Sequence, residues 1–166
     1  MDDELRSKLG IKPGHKVCLF YARRFLMPLF LTGDLKLTID WAENDSDAIL
    51  YWLQPKDDAV DIMTHLAEMI KPNGRIWLIM PKKDLALKQG FRQSWEEIQR
   101  GVLDTTSLVD NKTLSIDEGE YGTQFVFRKA AREEAKAETE TTNTDNAKRT
   151  EVLNVKRSRF QIRRKR

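Results

Sequence analysis

Between Val60 and Lys83 the chain reads VDIMTHLAEMIKPNGRIWLIMPKK. Apolar residues recur at Ala59, Ile62, Met63, Leu66 and Ile70, the spacing of one helix face. Pro72-Asn73-Gly74 is the predicted stop of that helix, because proline cannot continue it and Asn or Gly accepts a left-handed turn. Arg75 to Met80 then carries apolar side chains at successive positions, the pattern of a strand buried on both faces of a parallel sheet. A helix feeding such a strand is half of a βαβ unit. Ligands of open α/β sheets sit at the carboxyl ends of the strands.

The flanking sequence extends the pattern. Asp2 to Leu9 is a predicted short helix capped by Gly10, and Lys16 to Tyr21 a first strand. Arg23 to Leu31 is a predicted short helix with Pro28 in its first turn or at a kink. Leu35 to Asp40 and Asp47 to Leu53 are the next strands, and Pro55 to Asp58 is expected to open the long helix. Phe91 to Leu103 is a predicted helix. Val109 to Asp117 and Tyr121 to Lys129 alternate around Asp117-Glu-Gly-Glu120, as the arms of a hairpin do. Only Trp41 to Ser46 join the second strand to the third. Parallel crossovers ordinarily take a dozen residues or more, so either a stretched loop runs back along the sheet, the preferred reading, or these strands are antiparallel.

The pattern ends near Lys129. Residues 130–166 form a predicted charged, disordered tail after a Rossmann-like body of residues 1–129. The net charge of +3 hides a division: residues 148–166 hold nine basic residues against one acidic, whereas residues 1–129 hold 18 basic against 20 acidic. An acidic partner is therefore a matter for the tail. Lys156, Arg157, Arg159, Arg163, Arg164, Lys165 and Arg166 are nucleic-acid-binding candidates, acting by counterion release. The lone cysteine, Cys18, rules out an internal disulfide and a cysteine-built zinc site, and its apolar surroundings make it a core residue. The acidic, polar start is no signal peptide, and no apolar run approaches the ~20 residues of a membrane span. A cytoplasmic protein is expected.

The order of elements, with Leu66-Ala-Glu-Met-Ile-Lys-Pro-Asn-Gly74 before a buried strand and a hairpin at the end, resembles the class I methyltransferase fold. That resemblance implies a small α/β body with a mostly parallel sheet and a C-terminal antiparallel hairpin. It also implies a glycine-rich turn after the first strand, where the backbone approaches S-adenosylmethionine. Here Tyr21-Ala22-Arg23-Arg24-Phe25 stand instead, with no glycine between Gly14 and Gly33. Bulky side chains are expected to fill the adenosyl volume. Asp40, at the end of the second strand, is the one cofactor-binding candidate, for ribose hydroxyls. Gln54-Pro55 faintly resembles the amide-Pro motif of amino-group methyltransferases.

Ile76 to Lys83, Arg92, Leu108-Val-Asp110, Lys112, Ile116-Asp117, Tyr121-Gly122 and Phe125 to Arg128 are similar to an uncharacterised bacterial family. That family is known as domain of unknown function three-zero-five-two. The likeness spans about Leu9 to Lys129, and departs from the family at Tyr121, where a Trp-Ser pair is expected. It carries no assigned activity, so it implies no catalytic residue.

Arg23, Arg24, Lys82 and Lys83 follow strands of the parallel set and are anion-binding candidates at one sheet edge. His15 and His65 lie far apart, and no metal set is evident. The reading placed first is a non-enzymatic module on a reduced methyltransferase-like fold, binding a protein partner or small anion without a cofactor. The alternatives are an S-adenosylmethionine-dependent methyltransferase with an aberrant cofactor loop, and a nucleic-acid-associated protein acting through its tail.

Overall fold

The computed structural model describes residues 2–131 and 133. The tail candidates from Lys156 to Arg166 lie outside the described residues. Six strands form one sheet: β1 (Lys16–Phe20), β2 (Lys36–Ile39), β3 (Ser46–Trp52), β4 (Ile70–Pro81), β5 (Leu108–Ser115) and β6 (Glu120–Phe127). Their order is β2-β1-β3-β4-β6-β5. The first four are parallel, and β6 runs antiparallel to both β4 and β5.

Both β2 and β3 pair with β1 in parallel, so the short link between them is the stretched loop. Its start and end turn sharply, with φ of 66° at Asp40 and 59° at Asp45. Cys18 is fully buried beneath this loop, its Sγ within 3.1 Å of the Ser46 hydroxyl and accepting a hydrogen bond from Thr38 at 3.0 Å.

The sheet is flanked by α1 (Asp2–Lys8), α2 (Met27–Phe30), α3 (Ala59–Ala67), α4 (Lys83–Lys88) and α5 (Trp95–Thr105). A 3-10 turn at Arg24–Leu26 precedes α2, and Pro28 sits within the first two positions of that helix. The strands divide their side chains between two cores, as a period of two requires. One face packs Phe20, Ile49, Tyr51 and Leu78 against α3 and α5 through Met63, Leu66, Ile98 and Val102. The other packs Leu19, Leu50, Trp52 and Trp77 against Leu9, Leu29 and Phe30. Trp77 is fully buried and donates its indole N–H to the Leu9 carbonyl at 3.0 Å, tying the end of α1 to the sheet.

Three boundaries differ from the sequence expectation. The long helix starts only at Ala59, capped by Asp58, whose carboxylate accepts the Asp61 N–H; Pro55 lies in the preceding turn. It also ends early, and Pro72-Asn73-Gly74 is not its stop but an irregularity inside β4. Ser46 pairs with Ile70 and Ala48 with Arg75, so the ladder is interrupted while residues 71–74 loop out. The loop closes so tightly that a Cβ on Gly74 would lie 3.0 Å from the Lys71 backbone, an approach that favours glycine. The expected helix from Phe91 starts at Trp95, because Ser94 caps it by accepting the Glu97 N–H. Among the described residues no helix is long and apolar enough to cross a membrane.

Candidate functional site at the carboxyl edge of the sheet

The chain leaves β1 in one direction for β2 and returns on the other side of β1 as β3. The crevice between β1 and β3 is thus the topological switch point, where open α/β sheets bind ligands. Tyr21 follows β1 directly and adopts φ of 60°. This is the left-handed conformation glycine adopts freely and other residues adopt at a cost of roughly 1–2 kcal/mol. Contacts with Tyr51 and Asp40 help to hold it. The Tyr21 ring packs edge-on against Tyr51 with centroids 5.7 Å apart, and the Tyr21 N–H donates to the Asp40 carboxylate at 3.3 Å.

Tyr51 extends the cluster. Phe20 stacks on it at 5.3 Å, and its hydroxyl donates to Asp57 Oδ2 at 3.0 Å. The same oxygen accepts the Gln54 N–H at 2.9 Å, which fixes the turn leaving β3. Gln54 turns its amide back onto the Trp52 carbonyl.

Arg23 reaches from this crevice to the other side of the edge. Its guanidinium donates two hydrogen bonds to Glu120, Nε to Oε1 at 3.1 Å and Nη2 to Oε2 at 2.9 Å. The Glu120 hydrogen bond keeps the guanidinium pKa above its ordinary value against the opposing effect of burial. Asp117 Oδ1 accepts both the Gly119 and Glu120 N–H groups and so shapes the hairpin turn. Arg24, Lys82 and Lys83 are exposed, and the Lys82 N–H donates to the Gly119 carbonyl. The structure therefore brings Lys82 and Arg23 to the same hairpin turn, with the Arg23 charge already matched by a carboxylate.

Two hollows open along this edge and share Gln89 as a wall. One, of about 510 Å³, lies among Arg23, Phe25, Leu85 and the Asp117–Glu120 turn. The other, of about 500 Å³, lies at the end of β3 among Leu53, Lys56, Asp57, Phe91, Arg92 and Ile98. Sequence reading passed over Lys56 as part of a helix opening; only its position beside Arg92 gives it interest. Tyr121 is half-buried against Trp95, and burial raises its hydroxyl pKa. Among the described residues no three His, Cys, Asp or Glu side chains come together to hold a metal. His15 accepts the Lys12 N–H, and His65 lies beside Asp61 of its own helix.

No family model matches the chain, and no curated protein matches it in sequence. Solved structures match it by shape. The mitomycin 7-O-methyltransferase MmcR superposes with a TM-score of 0.56 at 14% identity, over 70% of this chain and 49% of that one. A SAM-dependent methyltransferase from Aquifex aeolicus gives 0.56 at 12% identity, over 76% and 89%. The N-methyltransferase NodS from Bradyrhizobium japonicum gives 0.54 at 15%, over 76% and 93%. The fold is Rossmann-like and methyltransferase-like. At these identities the likeness concerns the fold alone.

These neighbours correct two expectations. Each of these neighbours is described as a methyltransferase, and the Aquifex protein as SAM dependent, which speaks against the two expectations placed first, a non-enzymatic binding module and the absence of a cofactor. A missing glycine does not by itself exclude the left-handed turn. Tyr21 takes up the left-handed turn itself. Phe25 is 62% exposed and lines the hollow beside the hairpin turn.

Proposed function

We propose that this chain is an S-adenosylmethionine-dependent methyltransferase whose cofactor lies across the carboxyl ends of β1 and β2. The observation that carries the reading is the pair Tyr21 and Asp40. A left-handed turn at the switch point lets the backbone approach a ligand, and a carboxylate stands 3.3 Å from the turn's N–H. Asp40 is exposed at the end of β2, suited to accept hydrogen bonds from ribose hydroxyls. The partly exposed Tyr21 ring, packed edge-on against the buried Tyr51, offers an aromatic surface beside it. Bound there, the cofactor supplies a methyl carbon made electrophilic by a sulfonium centre. The chain's own contribution is to hold an acceptor in line with that carbon and to exclude water, chiefly a matter of positioning. Either hollow is of a volume that small-molecule sites occupy, about 300–1,000 Å³. We further place the chain with the uncharacterised bacterial family it resembles, acting in the cytoplasm.

Melting curves with S-adenosylhomocysteine test this. A ligand at 100 times its dissociation constant adds ~2.7 kcal/mol, roughly 10 °C for a body of this size. Asp40→Asn should lessen the shift, by removing charge from the ribose acceptor. A melting temperature unmoved at millimolar ligand would end the proposal.

A further inference from the structure

The hollow at the end of β3 combines three features found nowhere else along the described edge. Its floor is apolar and buried, formed by Leu53, Phe91 and Ile98. Its rim carries Lys56 from the β3–α3 turn and Arg92 from the α4–α5 link, both exposed. Neither side chain has a hydrogen bond or ion pair with any described residue. In contrast, Arg23 at the neighbouring hollow is occupied by Glu120.

The single carboxylate in the lining, Asp57, does not neutralise this pair. Its Oδ2 is committed to the Tyr51 hydroxyl and the Gln54 N–H, which orient it toward the β3 turn. Two cations against one engaged anion leave the lining positive. Gln89 and Gln93 add amide groups, each able to donate. Charged groups set over a buried apolar floor select a ligand with an anionic head and an apolar body. The floor takes the body out of water, and an arginine offers a fork that matches a carboxylate or phosphate.

We infer that this hollow binds a small organic anion, a carboxylate or phosphate monoester on an aromatic or aliphatic body, through Arg92 and Lys56. In its role as methyl acceptor this ligand rests on the methyltransferase reading; as a binding site the hollow stands without it. The site adjoins the proposed cofactor edge through Tyr51, which touches Tyr21 on one side and Asp57 on the other.

The test is an amide-resolved NMR titration of the full chain with benzoate, phenyl phosphate, benzyl alcohol and inorganic phosphate. Benzoate or phenyl phosphate should give saturable shifts at Leu53, Gly90, Phe91, Gln93 and Ile98, and comparing the two ranks the head groups. Benzyl alcohol and inorganic phosphate, each lacking one half of the ligand, should bind about tenfold more weakly or less. Arg92→Ala and Lys56→Ala should each weaken the better anion about tenfold, the loss of one charge-assisted contact, and Arg92→Lys should recover part of it. Three results overturn the inference: no saturable shift, shifts collecting at Arg24, Lys82 and Lys83 instead, or an Arg92→Ala variant that binds as the parent does. Melting with S-adenosylhomocysteine on the same preparation separates the two ideas. Anion binding without a nucleoside shift sinks the methyltransferase reading alone, and the reverse result sinks the anion site alone.

Discussion

Arg23 and Glu120 are 97 residues apart in sequence and joined by two parallel hydrogen bonds of 3.1 and 2.9 Å. Arg23 follows β1 and Glu120 begins β6, with β3 and β4 between those strands in the sheet. Three strand spacings are about 14 Å, more than a guanidinium reaches by itself. The backbone after β1 must therefore carry Arg23 along the carboxyl edge, past the ends of two strands. The pair fastens this strap to the hairpin and forms one wall of a hollow.

Breaking that pair has unequal consequences. Glu120 is nearly buried, whereas Arg23 is partly exposed, with side-chain exposures of 11% and 41%. Arg23→Ala leaves a buried carboxylate unmatched, so it should cost more than Glu120→Gln. A double-mutant cycle in urea should give a coupling of about 1–2 kcal/mol, reduced from a fully buried pair by solvent on the arginine side. Faster amide exchange in residues 21–26 of Arg23→Ala would show the strap released. Equal costs for the two single changes would contradict this account.

Tyr21 offers a reversal of the usual order of alanine and glycine. Either substitution loses the ring contact with Tyr51, but alanine retains the steric cost of φ 60° and glycine does not. Tyr21→Gly should therefore be more stable than Tyr21→Ala by about 1 kcal/mol. Chemical denaturation of the two variants decides it. An alanine variant as stable as the glycine one would mean that the turn relaxes out of the left-handed region.

Asp47 gives the fold a pH dependence of known sign. Burial alone would raise its carboxyl pKa, but the Lys16 N–H at 2.8 Å and the Lys71 ammonium at 3.0 Å outweigh that and hold it below the ordinary range. A carboxyl depressed in the folded state stabilises above its unfolded pKa of about 3.9 and loses that contribution as pH falls through the folded value. Asp47→Asn should therefore be less stable than the parent at pH 7. The gap should narrow as pH falls below about 4. Denaturation midpoints measured from pH 2 to 7 would show it. A gap independent of pH would assign the loss to the hydrogen bond with Lys16 rather than to charge.

Gly74→Ala places a methyl group 3.0 Å from the Lys71 backbone and the Ile70 Cβ. The looped-out segment of β4 must give by a few tenths of an ångström to admit it, next to the Ser46–Ile70 pairing. A loss of about 1–3 kcal/mol is expected, read from the denaturant midpoint. A neutral substitution would show that residues 71–74 repack freely.

The core strands and the terminal hairpin were legible from local pattern. Val17 to Phe20, Ala48 to Trp52 and Ile76 to Met80 are apolar on both faces because both faces are covered, and that requirement is written residue by residue. The parallel return from β2 to β3 was the preferred of two readings that chain length left open, and the pairing of both strands with β1 decided it. The Pro72-Asn73-Gly74 turn was recognised as a break but assigned to the wrong element, since the same residues stop a helix or interrupt a strand. What decided between them was the pairing of Ser46 with Ile70, a contact made across the sheet.

Local sequence determined which segments had to be buried, since hydrophobic burial acts on each side chain where it stands. Tertiary structure decided what the carboxyl edge is. Tyr21 can hold a glycine-like dihedral only because Tyr51 and Asp40 fold in from other strands, and Lys56 and Arg92 face one hollow only because two separate links end beside it. Backbone strain and unmatched charge are compensated or left open by neighbours distant in the chain, so no window of sequence contains them.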